Sequence, residues 1–305
     1  MKKNDNTNTL ILIGASAILF ILIVFAVILL FPIGSDFGPP GFVAPGIAII
    51  PLKGEITNST GSFSADLSAD EIVQMLDDAD NDSSIGAILI DIDSPGGGVV
   101  PSKQIVYKVR SVKKPVYSYI NSSGASGAYY VASATDYIMA DEDSITGSIG
   151  VISMILNFEK LFDDLGIGVT VLKEGEFKAI GSPFKELSED EESILQSILI
   201  QIYEGFKEDV LEFRGDKLTR SQLDSVADGR ILSGRQAFQK NLVDELLTKE
   251  QAVDRAAELA GIKEPIIITY GKKDLSFLEL FFSSGQAFGQ GFISSIKTSD
   301  SIEVK

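Results

Sequence analysis

The sequence predicts an α/β domain on a mostly parallel sheet. From Ile47 onward, apolar strand-like runs alternate with helix-like segments in units of about thirty residues, the pattern of strands joined by helical crossovers. The run IGAILIDI (85–92) is apolar almost throughout, as in a strand covered on both faces. Helix-start signals of the form Ser/Thr-x-x-Glu/Gln precede several helical stretches. There is no tandem repeat.

Taken in order, IAIIPLKGEI (47–56) reads as the first strand. Leu67-Ser68-x-x-Glu71-Ile72 joins a capping box to a hydrophobic staple and opens a helix to about Asp80. After strand 85–92 come the turn DSPGGGVVP, a helix over 102–109, the strand KPVYSYI (114–120) and a short helix over 126–134. VISMILN (151–157) is strand-like, 158–165 is helical with Gly166 as its stop, and 168–173 is a further strand. Ser188-x-x-Glu191 caps a long helix over 189–213, whose Ile194, Leu195, Ile198, Ile202, Phe206 and Val210 keep helical spacing. Thr219-x-x-Gln222 starts another helix, 234–240 and 249–259 are helical, and IIITY (266–270) is a last strand.

The N-terminal region has a separate character. Residues 10–31 are 22 consecutive residues without a charge, enough to cross a hydrocarbon core. Lys2 and Lys3 precede them and no lysine follows until Lys53, which predicts residues 1–9 in the cytoplasm and the large domain on the extracytoplasmic side of a cell membrane. A cleaved signal peptide is the rival reading; its apolar core is usually shorter, about 7–15 residues, with a cleavage site close behind. The Gly/Pro-rich stretch 32–46 reads as a linker, 47–270 as the main folded domain and 271–305 as a hydrophobic tail expected to pack against protein rather than lipid.

Composition narrows the chemistry. The chain has no Cys, His or Trp, which removes disulfides, thiolate nucleophiles, His-based triads and Cys- or His-ligated metals. A net charge of −17 argues against nucleic-acid binding. Covalent catalysis would need Lys, Asp, Glu or Tyr as its base. No cofactor motif is present: DSPGGG is neither a Walker A loop nor GxGxxG, and Asp91 with Asp93 makes no complete metal set.

Four features bear on function. The glycines Gly96 to Gly98 follow a buried strand and leave backbone N–H groups free for an oxyanion, although a plain tight turn fits them equally. Ser126 stands where a strand gives way to a helix, a place for a nucleophile and also for an ordinary N-cap. Lys178, between Phe177 and Ala179-Ile180, has apolar company that favours the neutral amine a general base needs; Glu174 and Glu176 work against it, and a solvated surface cation is the plain alternative. The hydroxyl of Ser148, in Thr146-Gly-Ser-Ile-Gly150, could hold a lysine amine or merely satisfy its turn.

These motifs together resemble the signal peptide peptidase A family, in its short, single-copy form of membrane-bound Ser-Lys protease. The strand and Pro-Gly-Gly turn correspond to DSPGGGVV (93–100), the serine motif to ASGAYYVAS (125–133), the Thr-Gly-Ser motif to TGSIGV (146–151) and the lysine motif to EFKAIGSPF (176–184). ADGRILSGRQAFQKNLVDEL (227–246) is similar to the family's downstream segment. Ala128 departs from the pattern, where many members carry glycine. The resemblance implies a crotonase-like (ClpP-type) fold of stacked β-β-α units with a helical C-terminal part. It implies Ser126 as nucleophile, Lys178 as general base, Ser148 as the hydroxyl orienting the amine, and an oxyanion hole from Gly127 with Gly96 and Gly97. It further implies a homo-oligomer whose protomers share each site, and apolar membrane-derived peptides, such as remnant signal peptides, as substrates. An acyl-transforming crotonase-like enzyme and a non-catalytic membrane-tethered scaffold are the alternatives.

Overall fold

A computed structural model describes residues 45–58 and 68–271. The expected anchor, most of the linker, Leu67 of the staple and the tail from residue 272 lie outside the described residues. Among the described residues, no helix is long and apolar enough to cross a membrane.

The chain alternates as expected: β1 (Gly46–Lys53), α1 (Ala69–Asn81), β2 (Ile85–Ser94), α2 (Val99–Ser111), β3 (Val116–Ala125) and α3 (Gly127–Ser133). Short strands β4 (Tyr137–Ala140) and β5 (Ile145–Gly147) follow, then α4 (Glu159–Asp164) and α5 (Glu189–Arg214). The remainder is α6 (Arg220–Asp224), β6 (Ile231–Ser233), α7 (Gly234–Gln239), β7 (Glu245–Leu246), α8 (Lys249–Leu259) and β8 (Ile267–Thr269). The sheet order is β6-β5-β3-β2-β1-β8, with β4 beside β3 and β7 beside β4. Every pairing is parallel except β5 with β6.

Both faces of the sheet are covered, which is why its central strands read as unbroken apolar runs. Ile50, Ile88 and Ile90 belong to one cluster with Ile72 and Leu76 of α1 and Ile105 and Val109 of α2. The alternate residues Ile47, Ala87 and Leu89 belong to a second cluster with Ala252 and Ala256 of α8. Each fully buried Ile or Leu of this kind stabilises the fold by about 1.5–3 kcal/mol. The predicted caps form as capping boxes: Ser68 with Glu71, Ser188 with Glu191 and Thr219 with Gln222.

β3 is the strand that builds the site. Its residues Tyr117 to Ile120 pair with β4, whereas Ser123 to Ala125 pair with β5. Its register with β2 slips between these halves: Ile92 pairs with Ile120, but Ser94 pairs with Gly124. The extra β3 residues bend the strand, so its second half can take a different neighbour.

Several expectations need correction. Residues 151–157 and 168–173 are not strands. Most of their apolar side chains stand in solvent, with Ile152 86% and Leu172 93% exposed, and without a partner backbone no ladder can form. The periodicity of α5 is helical as read, yet only its second half buries a stripe, through Phe206 and Val210; Ile198 is exposed. β1 stops at Lys53, and β3 runs five residues beyond the expected Ile120. The short strands β4 to β7 escaped the sequence reading because two to four residues carry too little periodicity.

Candidate active site

Ser126 closes β3 and opens α3 with φ 52° and ψ −123°, a conformation few L-residues adopt. Its side chain makes no capping hydrogen bond, so it is not the ordinary N-cap that its position suggested. The backbone holds it in place: Ser126 N–H donates to Gly147 O (2.9 Å), and Tyr130 N–H donates to Ser126 O (3.0 Å). Gly96, at φ 102°, packs so tightly here that a Cβ on it would lie 2.9 Å from Ser126 Cβ and 2.8 Å from Gly127 N. Ser126 itself is half-buried, with its neighbour Gly127 buried.

The β3–β5 pairing brings the Thr-Gly-Ser turn to the serine. Ala125 is opposite Gly147, and Thr146 Oγ1 donates to Gly124 O (2.7 Å), latching β5 onto β3. Ser148, at φ 52°, follows directly, with its N–H donated to Arg230 O (2.8 Å). Ser126 and Ser148 therefore line one cleft of about 1230 Å³, together with Gly97, Ser102 and Gly127.

The glycine turn is fixed by Ile56, outside strand β1. Ile56 N–H donates to Gly96 O (2.8 Å) and Gly98 N–H to Ile56 O (2.9 Å). In such a parallel bridge the intervening residue, Gly97, turns its own N–H the other way. A Cβ on Gly127 would lie 3.4 Å from Gly97 N, which places the Gly97 N–H beside Gly127. Gly127 is the first residue of α3, where an N–H has no partner four residues back. Gly96 does not supply a free donor, because its N–H already donates to Ser94 Oγ (3.1 Å); its contribution is close packing.

Further lining of the cleft comes from α5 and α3, to which the motif reading did not assign a role. Tyr130, Leu199, Ile202 and Phe206 line it, with the Tyr130 and Phe206 rings 4.7 Å apart. Tyr130 Oη donates to Asp209, and burial followed by that carboxylate pushes its phenol far up, so it keeps its proton and cannot serve as a base. The helical spacing of Phe206 was legible; its lining the same cleft as the serine was not.

Lys178 is placed apart from these groups. It is exposed, it is not among the residues lining the cleft, and the apolar company expected from Phe177 and Ile180 does not bury it within its own chain. Its segment, residues 151–187, leaves Ile152, Met154, Leu156, Val171 and Leu172 exposed. The lysine that does line the cleft is Lys103, whose Nζ lies 5.6 Å from the centre of the Tyr107 ring. No group of three metal-binding side chains occurs among the described residues, and Asp91 accepts instead from Lys249 Nζ (2.9 Å).

A parallel α/β sheet with a strained serine at a strand–helix junction, facing backbone donors of a glycine turn, has the form of a covalent hydrolase site. Comparison with known proteins narrows this. A model of peptidase family S49 matches residues 108–263, and the chain belongs to that family. A putative protease of Methanocaldococcus jannaschii is 37% identical over 222 residues, covering 72% of this chain and 71% of its own. A putative signal peptide peptidase SppA of Enterococcus faecium is 32% identical over 213 residues, covering 69% and 61%. Protease 4 of Haemophilus influenzae is 32% identical over 221 residues, which are 72% of this chain but 35% of that one. Within the S49 peptidases, the chain is a member of the signal peptide peptidase A family.

Proposed function

We propose that this peptidase is a serine endopeptidase with a Ser-Lys pair, in which Ser126 is the nucleophile and Lys178 the general base. The observation that carries this reading is the uncapped, positive-φ Ser126 in a cleft beside Gly97 and Gly127. Neutral Lys178 takes the Oγ proton as Ser126 attacks the peptide carbonyl, and Ser148 orients the amine. The N–H groups of Gly97 and Gly127 stabilise the oxyanion, and the lysine then protonates the leaving amine. Water hydrolyses the acyl-enzyme and frees Ser126.

The base comes from a neighbouring protomer. Exposure of Lys178 and of the apolar side chains across 151–187 supports this, since a second copy would cover both. The split pairing of β3 with β4 and β5 is in keeping with a crotonase-like (ClpP-type) domain over 47–270. The cleft's apolar wall suits apolar peptides, and membrane-derived remnants such as cut signal peptides are the proposed substrates. Residues 10–31 would anchor the chain, with the catalytic domain on the extracytoplasmic side.

Complementation tests the shared site. Ser126→Ala and Lys178→Ala are each expected to abolish cleavage of an apolar fluorogenic peptide, whereas Lys103→Ala keeps it. Co-expressing the two dead variants should restore part of the activity, because some junctions then join an intact Ser126 to an intact Lys178. A fully active Lys178→Ala protein overturns the mechanism; a mixed oligomer that stays inactive overturns the sharing.

A further inference from the structure

We propose that the Ser102 hydroxyl is a third donor to the oxyanion, beside the N–H groups of Gly97 and Gly127; this rests on Ser126 being the nucleophile. Ser102 lies in the first turns of α2 and is 1% exposed, yet it lines the cleft that holds Ser126. Its backbone N–H is donated to Gly98 O (3.1 Å), while its Oγ has no hydrogen-bond partner. A helical serine normally bonds back to the carbonyl one turn earlier, so a buried hydroxyl left unpaired is a cost the fold carries for some other reason.

The position of that hydroxyl supplies the reason. A Cβ built on Gly127 would lie 2.3 Å from Ser102 Oγ and 3.4 Å from Gly97 N. The Ser102 hydroxyl is thus packed directly against Gly127, with the outward-turned Gly97 amide close by, and Gly127 adds its own N–H. Any side chain at position 127 would collide with the Ser102 hydroxyl. As the Ser126 Oγ–carbon bond forms, the carbonyl π pair moves onto oxygen. Ser102 answers that charge by a hydrogen bond and keeps its proton, while the proton of Ser126 goes to the lysine amine. A donor aimed at charge that exists only in the transition state raises kcat and leaves substrate binding nearly unchanged.

An unpaired buried hydroxyl also predicts an unusual pairing of effects. Its removal should not weaken the fold, because an apolar methyl replaces a polar group without a partner. In the full-length enzyme, Ser102→Ala is therefore expected to lower kcat by about 10²–10³-fold, with KM little changed and Tm equal or higher. Ser102→Cys, similar in shape with a weaker donor, should fall between and serves if the alanine variant does not fold. An unchanged kcat in either variant, or a kcat loss matched by a fall in Tm, overturns the proposal. Labelling with a fluorophosphonate separates this from failure of the underlying mechanism: an unlabelled Ser126 in the wild-type enzyme sinks both. Ser126 labelled in wild type, with Ser102→Ala turning over at the wild-type rate, sinks the Ser102 role alone.

Discussion

At Ser126 the backbone holds a φ of 52° without the freedom of glycine, a strain of about 1–3 kcal/mol for such a residue. Bonds to Gly147 and Tyr130, and the tight packing of Gly96, fix the conformation from outside. Ser126→Gly should therefore be more stable than Ser126→Ala by about 1 kcal/mol, while neither is expected to cleave peptide. Thermal unfolding of the two variants, compared at equal concentration, checks this; a more stable alanine variant would mean the backbone is relaxed there. Serine in this strand-to-helix position was legible in the sequence, but its backbone angle was not. That angle arises from β5, β3 and the glycine turn, which are far apart along the chain.

Among the elements, α5 is fastened at its end by a buried ion pair. Arg214 donates to both carboxylate oxygens of Asp244 (2.8 Å each) and to Asn241 O, and Lys217 joins from the rim. Burial alone would raise the Asp244 carboxyl, but Arg214, the Ile138 N–H and Lys217 outweigh it and hold it below its ordinary value. A depressed carboxylate contributes stability above its unfolded value, and that contribution is lost as pH falls through the folded one. Arg214→Ala, which leaves the buried Asp244 with only Lys217 at the rim and the Ile138 N–H to offset its charge, is expected to cost up to about 3–5 kcal/mol near neutral pH. It should also move the acid-unfolding midpoint to higher pH, followed by circular dichroism; an unmoved midpoint would show that the pair is not coupled to folding. The caps of α5 and of its neighbours were readable because a capping box is local, whereas the Arg214–Asp244 pair joins residues thirty apart.

For the whole molecule, the segment 151–187 is the surface on which assembly is tested, because its apolar side chains stand exposed. Leu172 is 93% exposed, so Leu172→Glu should leave the stability of one protomer within about 0.5 kcal/mol. If a second copy covers it, the same change should weaken association at least tenfold and reduce turnover in parallel, because a site shared between protomers exists only in the oligomer. Sedimentation velocity beside a peptide-cleavage assay measures both. An unchanged oligomer with unchanged turnover would remove this segment from the interface.

The sequence by itself determined the parallel α/β class, the main helices with their caps, and the family to which the motifs belong. Each rests on patterns contained within a few residues: apolar runs, capping boxes and the Ser-Gly, Thr-Gly-Ser and Pro-Gly-Gly strings. Only the tertiary structure decided that Ser126 and Ser148 share one cleft, that Gly97 rather than Gly96 has a free donor, and that Lys178 stands outside the cleft in a single chain. It also decided that 151–157 and 168–173 form no ladder, however strand-like their residues. Periodicity states what a segment can pair with, but hydrogen bonds and burial require a partner, and the partner's position is set by the path of the whole chain.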